Sequence, residues 1–274
     1  MRIRAGYRIT YDCPAETPML LLLNVRPERV PDLETPDTVH CEPALQIRTF
    51  SDCYGNRASR VIAPAGRTTF HTDFIIRDSG LPDPILPAAD LAPVSELPNE
   101  VLQYLLPSRY CEIERMTDLA WGLFGDTRPG WERVQAIVDY AHRRIEFGYH
   151  HARPTKTAFE AHEERCGVCR DYAHLAITLG RCMIVPGRYC TGYLGDIGVP
   201  RVDAPMDFSA WFEVWLDGAW RTFDARHNKR RIGRILMAVG RDATDVAMIT
   251  NFGPAILAGF EVTTDEIVED AQAL

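Results

Sequence analysis

The apolar period of this chain changes once, and that change limits the folds open to it. Residues 1 to about 78 carry strand signals only. Ile3 to Tyr11 alternates, Met19 to Val25 is largely apolar, and Leu45 to Phe50 runs into a turn at Tyr54-Gly55-Asn56. Arg60 to Ala63 and Thr68 to Ile76 flank a second turn at Pro64-Ala65-Gly66. Short strands between such turns predict a β-sandwich-like domain over residues 1–80. Pro82, Pro84, Pro87, Pro93 and Pro98 then deny the backbone its helix and central-strand bonds, so residues 81–99 read as a connector. Beyond it the period is helical. Trp131, Val134, Val138, Ala141 and Ile145 form one stripe behind a cap at Thr127 and Pro129 in the first turn. Thr157 to Glu160 fits a capping box. The expected class is α+β, with a second domain over 100–265 and a tail over 266–274.

The segment richest in chemistry is Glu164-Arg-Cys-Gly-Val-Cys-Arg-Asp-Tyr-Ala-His-Leu-Ala176. Tyr172, Ala173, Ala176, Leu179 and Gly180 recur at helical spacing after Cys169, and Pro186-Gly187 closes the element. Cys169 is thereby placed in the first turn of a buried helix. Free N–H groups and the helix dipole there favour a thiolate, which predicts a pKa below the ordinary thiol value of about 8.5. The same N–H groups could hold an oxyanion.

A hairpin follows. Phe208 to Leu216 alternates, Asp217-Gly218 is a two-residue turn, and Ala219 to Ala225 returns. Pairing 216 with 219 sets Trp211 opposite Asp224 and Ser209 opposite Arg226, so these four share a face. A base at 209 oriented by the carboxylate of Asp224 fits that register. Trp211, Trp215 and Trp220 read as core residues of the hairpin.

Gly167-Val-Cys-Arg-Asp-Tyr-Ala173 resembles the cysteine motif of transglutaminase-like proteins, a branch of the papain-type enzymes. Ala210-Trp-Phe-Glu-Val-Trp-Leu216 and Trp220-Arg-Thr-Phe-Asp224 resemble their histidine and aspartate motifs. The resemblance implies a papain/transglutaminase-like core, a helix-borne cysteine packed on an antiparallel sheet, behind the N-terminal β domain of bacterial members. It also implies a Cys-His-Asp triad that transfers acyl groups from peptide or side-chain amides, with no cofactor and no metal. Cys169 and Asp224 match that triad, and Ser209 stands at the expected His position.

Serine cannot take the thiol proton near neutral pH. Direct transfer to Asp224 is uphill by about 6 kcal/mol on reference pKa values. His227 would lie opposite Phe208 on the far face of the hairpin, and His174 falls about 140° around the helix from Cys169. His162 is not placed by sequence, while His150 and His151 follow a helix and could approach from a loop. Two readings stay open: an amide-processing cysteine enzyme, or a silent member that binds a peptide or partner protein in the same cleft. A redox pair of Cys166 with Cys169 would need a strand rather than a capped helix before it. A zinc site joining Cys166, Cys169, Cys182 and Cys190 would need both ends of one helix, because Cys169 and Cys182 lie at opposite ends of it.

Composition narrows the partners. A net charge of -8 argues against a nucleic-acid footprint, and the basic run Arg226 to Arg231 reads as a solvated face. Met19 to Leu23 is far too short to span a bilayer. Without a leader-like start the expected location is cytoplasmic, with the eight cysteines reduced. The expected partner is a peptide or protein substrate, with no nucleic acid and no membrane. Oligomeric state is not legible.

Overall fold

The computed structural model describes residues 1–202 and 205–268. The strands β1 (Arg2–Cys13), β2 (Thr17–Leu21), β3 (His40–Glu42), β4 (Arg48–Ser51), β5 (Arg57–Ala63) and β6 (Gly66–Arg77) come first. The helices α1 (Asn99–Leu102), α2 (Ile113–Phe124) and α3 (Trp131–Arg144) follow. Next come β7 (Glu146–Phe147), α4 (Ala158–Glu164), β8 (Cys166–Gly167) and α5 (Cys169–Cys182). The chain ends with β9 (Gly187–Tyr193), β10 (Ser209–Leu216), β11 (Ala219–Phe223), β12 (Ile235–Gly240), β13 (Ile249–Asn251) and β14 (Ile256–Glu266). The fold is mixed α+β. Among the described residues, no helix is long and apolar enough to cross a membrane.

Two four-stranded antiparallel sheets, ordered β14-β1-β6-β3 and β13-β2-β5-β4, occupy the N-terminal part. Ile3, Ala5 and Ile9 of β1 are buried while Arg4 and Arg8 are exposed, which is the expected period of two. These residues join Met19, Leu21, Val61, Phe70 and Phe74 in one apolar cluster. Sequence placed residues up to 265 with the second domain, but β14 lies antiparallel along β1, from Glu266 opposite Ile3 to Ile256 opposite Asp12. It buries little besides Val262 and Thr264, so its local pattern did not advertise a partner some 250 residues away. Of the expected tail, residues 269–274 lie outside the described residues. The proline-rich connector is anchored at Asp83. Its carboxylate takes bonds from the Arg231 N–H and from Arg234, and its own N–H donates to the Arg231 carbonyl.

The third sheet, β11-β10-β9-β12, is antiparallel throughout. The hairpin has the expected register, Leu216 opposite Ala219, with Asp217 and Gly218 at φ of 48° and 67°. Ala210, Phe212, Val214 and Leu216 form one core with Leu175, Ala176, Ile177 and Leu179 of α5. The buried stripe of α3 and the capping box of α4 are as expected.

The start of α5 is fixed by Asp171, whose carboxylate accepts the Val168 N–H at 2.8 Å. A side chain at Gly167 would put its Cβ 2.6 Å from that carboxylate, so the position needs glycine. The far end is fixed by the fully buried Arg181, which donates to the carbonyls of Leu106, Gly187 and Arg241 and to the Ser108 hydroxyl. Replacing Arg181 with Met strands those acceptors, and we expect a loss of at least about 3 kcal/mol in denaturant unfolding. A loss under about 1 kcal/mol would show that water replaces the guanidinium and that the helix is anchored elsewhere.

Candidate active site

Cys169 is the first residue of α5 and is half-buried. It lines a cavity of about 590 Å³ with Tyr149, Ser209, Arg226 and His227. It also lines a neighbouring cavity of about 390 Å³ with Tyr189, Asp207, Ser209 and Ala210. Cys169 thus borders both cavities, as does Ser209 at the start of β10. Burial pushes the Cys169 thiol above its ordinary value. Arg226 and the N–H groups of Ala210 and Arg170 oppose that shift, while Asp207 adds to it. Burial thus works against the thiolate expected from the helix start and outweighs the local donors.

Asp224 follows the last residue of β11 and is buried. Its carboxylate does not orient Ser209, as the hairpin register suggested. One oxygen accepts the His227 N–H at 3.0 Å, and the other takes His227 Nδ1 and Arg234 Nη2, each at 2.9 Å. Burial alone would raise the Asp224 carboxyl, but Arg234 and His227 pull it far below the usual range. Its stabilising effect is present above the ordinary carboxylate range and is lost as pH falls through the lower folded value. With the carboxylate ionised, Nδ1 must carry the proton. Nε2 is then the free, basic nitrogen of an imidazole lining the same cavity as Cys169.

Strand geometry had set His227 on the opposite face. The chain leaves the ladder at Asp224, whose carbonyl accepts the Asn228 N–H at 2.8 Å while its side chain caps the same turn. Asn228 adopts φ of 47°. The turn brings His227 back to the side of Asp224. One face of α3 holds it there: Asp139 accepts from Asn228, Gln135 donates to Asn228, and His142 Nδ1 lies 3.1 Å and 3.0 Å from the carbonyls of Ala225 and Arg226. The signal in the sequence was Asp-Ala-Arg-His-Asn, an aspartate within reach of the N–H three residues on.

The other histidines are engaged elsewhere. His174 is buried between Tyr110 and Tyr189, with Nε2 accepting the Ala243 N–H. His162 bonds Tyr140. His150 and His151 stack on each other beside Gly148. Trp211 is core, as expected. Cys169 and Cys182 cap opposite ends of α5, about 20 Å apart, so they cannot share one metal. The basic run is a solvated face only in part: Lys229 and Arg230 are exposed, while Arg226, His227, Lys229 and Arg231 also line the larger cavity. Its opposite wall is Val262 to Asp265 of β14, brought close where Gly195 meets the Thr264 carbonyl.

A raised thiol pKa has a direct readout. Alkylation of Cys169 by iodoacetamide, followed on its own peptide, should stay slow at mildly acidic pH and keep rising to a higher pH than glutathione needs. A plateau already reached near pH 6 would show a resting thiolate and contradict the burial argument.

Comparison with known proteins agrees with this geometry. Residues 118–225 match the family model of the Transglutaminase-like superfamily. Over 155 residues the chain is 28% identical to an uncharacterized protein of Mycobacterium leprae (strain TN), which covers 54% of this chain and 53% of that protein. The chain thus spans about half the length of that curated relative. Among solved structures, it is similar to the "putative cysteine protease" of Cytophaga hutchinsonii, at a TM-score of 0.84 and 28% identity over 98% of this chain and 92% of the other. The helix that carries Cys169, together with the sheet strands that lead to Asp224, lies within the stretch that matches the Transglutaminase-like superfamily model.

Proposed function

We propose that this protein is a cysteine enzyme that cleaves or transfers peptide or side-chain amides through a thioester on Cys169. His227 is the base and Asp224 its positioning residue. The observation that carries this reading is that an imidazole fixed by a buried carboxylate opens into the same cavity as the sulfur. Asp224 thus keeps the task the superfamily motif implies, but on an imidazole three residues downstream rather than at 209. The name given to the Cytophaga hutchinsonii relative is in keeping with this chemistry.

The resting thiol is neutral, so proton transfer and attack occur together. As the sulfur bonds to the amide carbon, its proton passes to His227 Nε2, and backbone N–H groups at the helix start hold the oxyanion. The tetrahedral centre collapses when the C–N bond breaks and the amine takes the proton back from His227. Water or another amine then attacks the thioester, gives its proton to His227, and releases the thiol. Ser209 has no proton-carrying role here; it lines the cavity. The neutral thiol equally favours a second reading, a silent member that holds a partner in the cleft.

Hydrolysis of 4-nitrophenyl acetate separates the two. Cys169→Ala and His227→Ala should each lower the rate by about 100-fold or more, and Asp224→Asn should follow them. Ser209→Ala should stay within about threefold of the parent. A rate untouched by Cys169→Ala would support the silent reading. A Ser209→Ala loss as large as that of His227→Ala would return the proton-carrying role to 209.

A further inference from the structure

The basic run beside the nucleophile has more charge than its fold uses. Arg231 is buried and donates to the Gly195 carbonyl, with the Asp196 carboxylate 3.8 Å away. Asp196 also accepts the Val202 N–H, and Arg201 faces Asp265 at 4.0 Å. Those charges of the cavity wall are answered within it. Arg226 and Lys229 are not. Among the described residues neither has an ion pair or a side-chain hydrogen bond; Arg226 rests its guanidinium 4.0 Å over the ring of Phe147. The remaining acid of the wall, Asp207, makes no ion pair among the described residues; burial raises its carboxyl above the ordinary value, and the charge of Arg226 opposes that shift. A chain of net charge -8 thus turns two unanswered cations toward the one cavity that holds its nucleophile and its imidazole.

We propose that the acyl group brought to Cys169 carries a carboxylate, seated against Arg226 and Lys229. This rests on Cys169 being the nucleophile of the cavity. A guanidinium already held flat on a ring presents its fork with little further ordering, which suits a planar carboxylate. Lys229, exposed at the rim, adds a point charge that draws the anion in. Arg226 lines the same cavity as Cys169, which puts the seat beside the nucleophile. A neutral acyl group would leave both cations unpaired in the closed complex, and the site would then favour acidic donors over isosteric neutral ones.

Alkylation tests the seat without requiring turnover. The full chain is treated in parallel with iodoacetate and iodoacetamide at one pH and ionic strength, and modification of the Cys169 peptide is followed by mass spectrometry. The iodoacetate-to-iodoacetamide rate ratio is divided by that of glutathione. The parent should exceed glutathione by about fivefold or more, and about 0.5 M sodium chloride should erase most of the excess. Arg226→Met and Lys229→Met should each bring the ratio down; Lys229 is exposed, so its variant remains informative if the Arg226 variant fails to fold. A parent ratio at or below that of glutathione would overturn the proposal, as would an excess that survives salt and both substitutions. With esters, mono-4-nitrophenyl glutarate should be preferred to 4-nitrophenyl butyrate in the parent and not in the variants. A raised alkylation ratio in a protein that turns over neither ester would uphold the carboxylate seat while retiring the acyl-transfer reading. Turnover of both esters without preference would do the reverse.

Discussion

The site depends on one buried carboxylate. Asp224 ends a strand, caps the turn that follows, receives Arg234 from behind and holds an imidazole in front. Taking a carboxylate out of water is costly, and only the combined charge of Arg234 and hydrogen bonding by His227 keeps it ionised. Ionisation in turn decides the tautomer, because an anionic acceptor requires the proton on Nδ1 and leaves Nε2 basic. Arg234 is not free to move, since Asp83 of the connector grips its other side. The connector thereby helps to hold Arg234 against Asp224.

The nucleophile is arranged on a different principle. A cysteine at a helix start should ionise easily, yet here the thiol is crowded at the entry of β10 and pushed toward its neutral form. The helix amides reach the sulfur, but they compete with loss of water and with Asp207. A resting thiol of this kind resists adventitious oxidation and alkylation, and it reacts only when substrate and base arrive together. On the proposed reading, activation then falls to the imidazole. Three residues of α3 hold a turn that belongs to the hairpin.

Much of this was legible from residues alone. The helix behind Cys169, the Asp-Gly hairpin register and the stripe of α3 follow from periodicity and turn chemistry, which act over a few residues. Two features were not. The return of β14 to β1 is a pairing of residues far apart in sequence, and an edge strand with few buried side chains carries no local mark of its partner. The location of the base was hidden by extrapolating a strand beyond the point where Asp224 stops it. Four more residues of ladder, from Asp224 to His227, would have put the imidazole on the opposite face; one capped turn brings it back to the side of Asp224. The serine at 209 stands at the expected histidine position, and the imidazole that Asp224 holds lies three residues downstream of it, at 227.

The central claim is a relation between two atoms, the Cys169 sulfur and His227 Nε2. Its most direct test is a crystal structure of the protein with Cys169 trapped as a hemithioacetal by a small aldehyde. The account predicts Nε2 within about 3 Å of the sulfur or the adduct oxygen, with Nδ1 still on Asp224. An imidazole turned out of the cavity, with another group bonded to the adduct in its place, would contradict it.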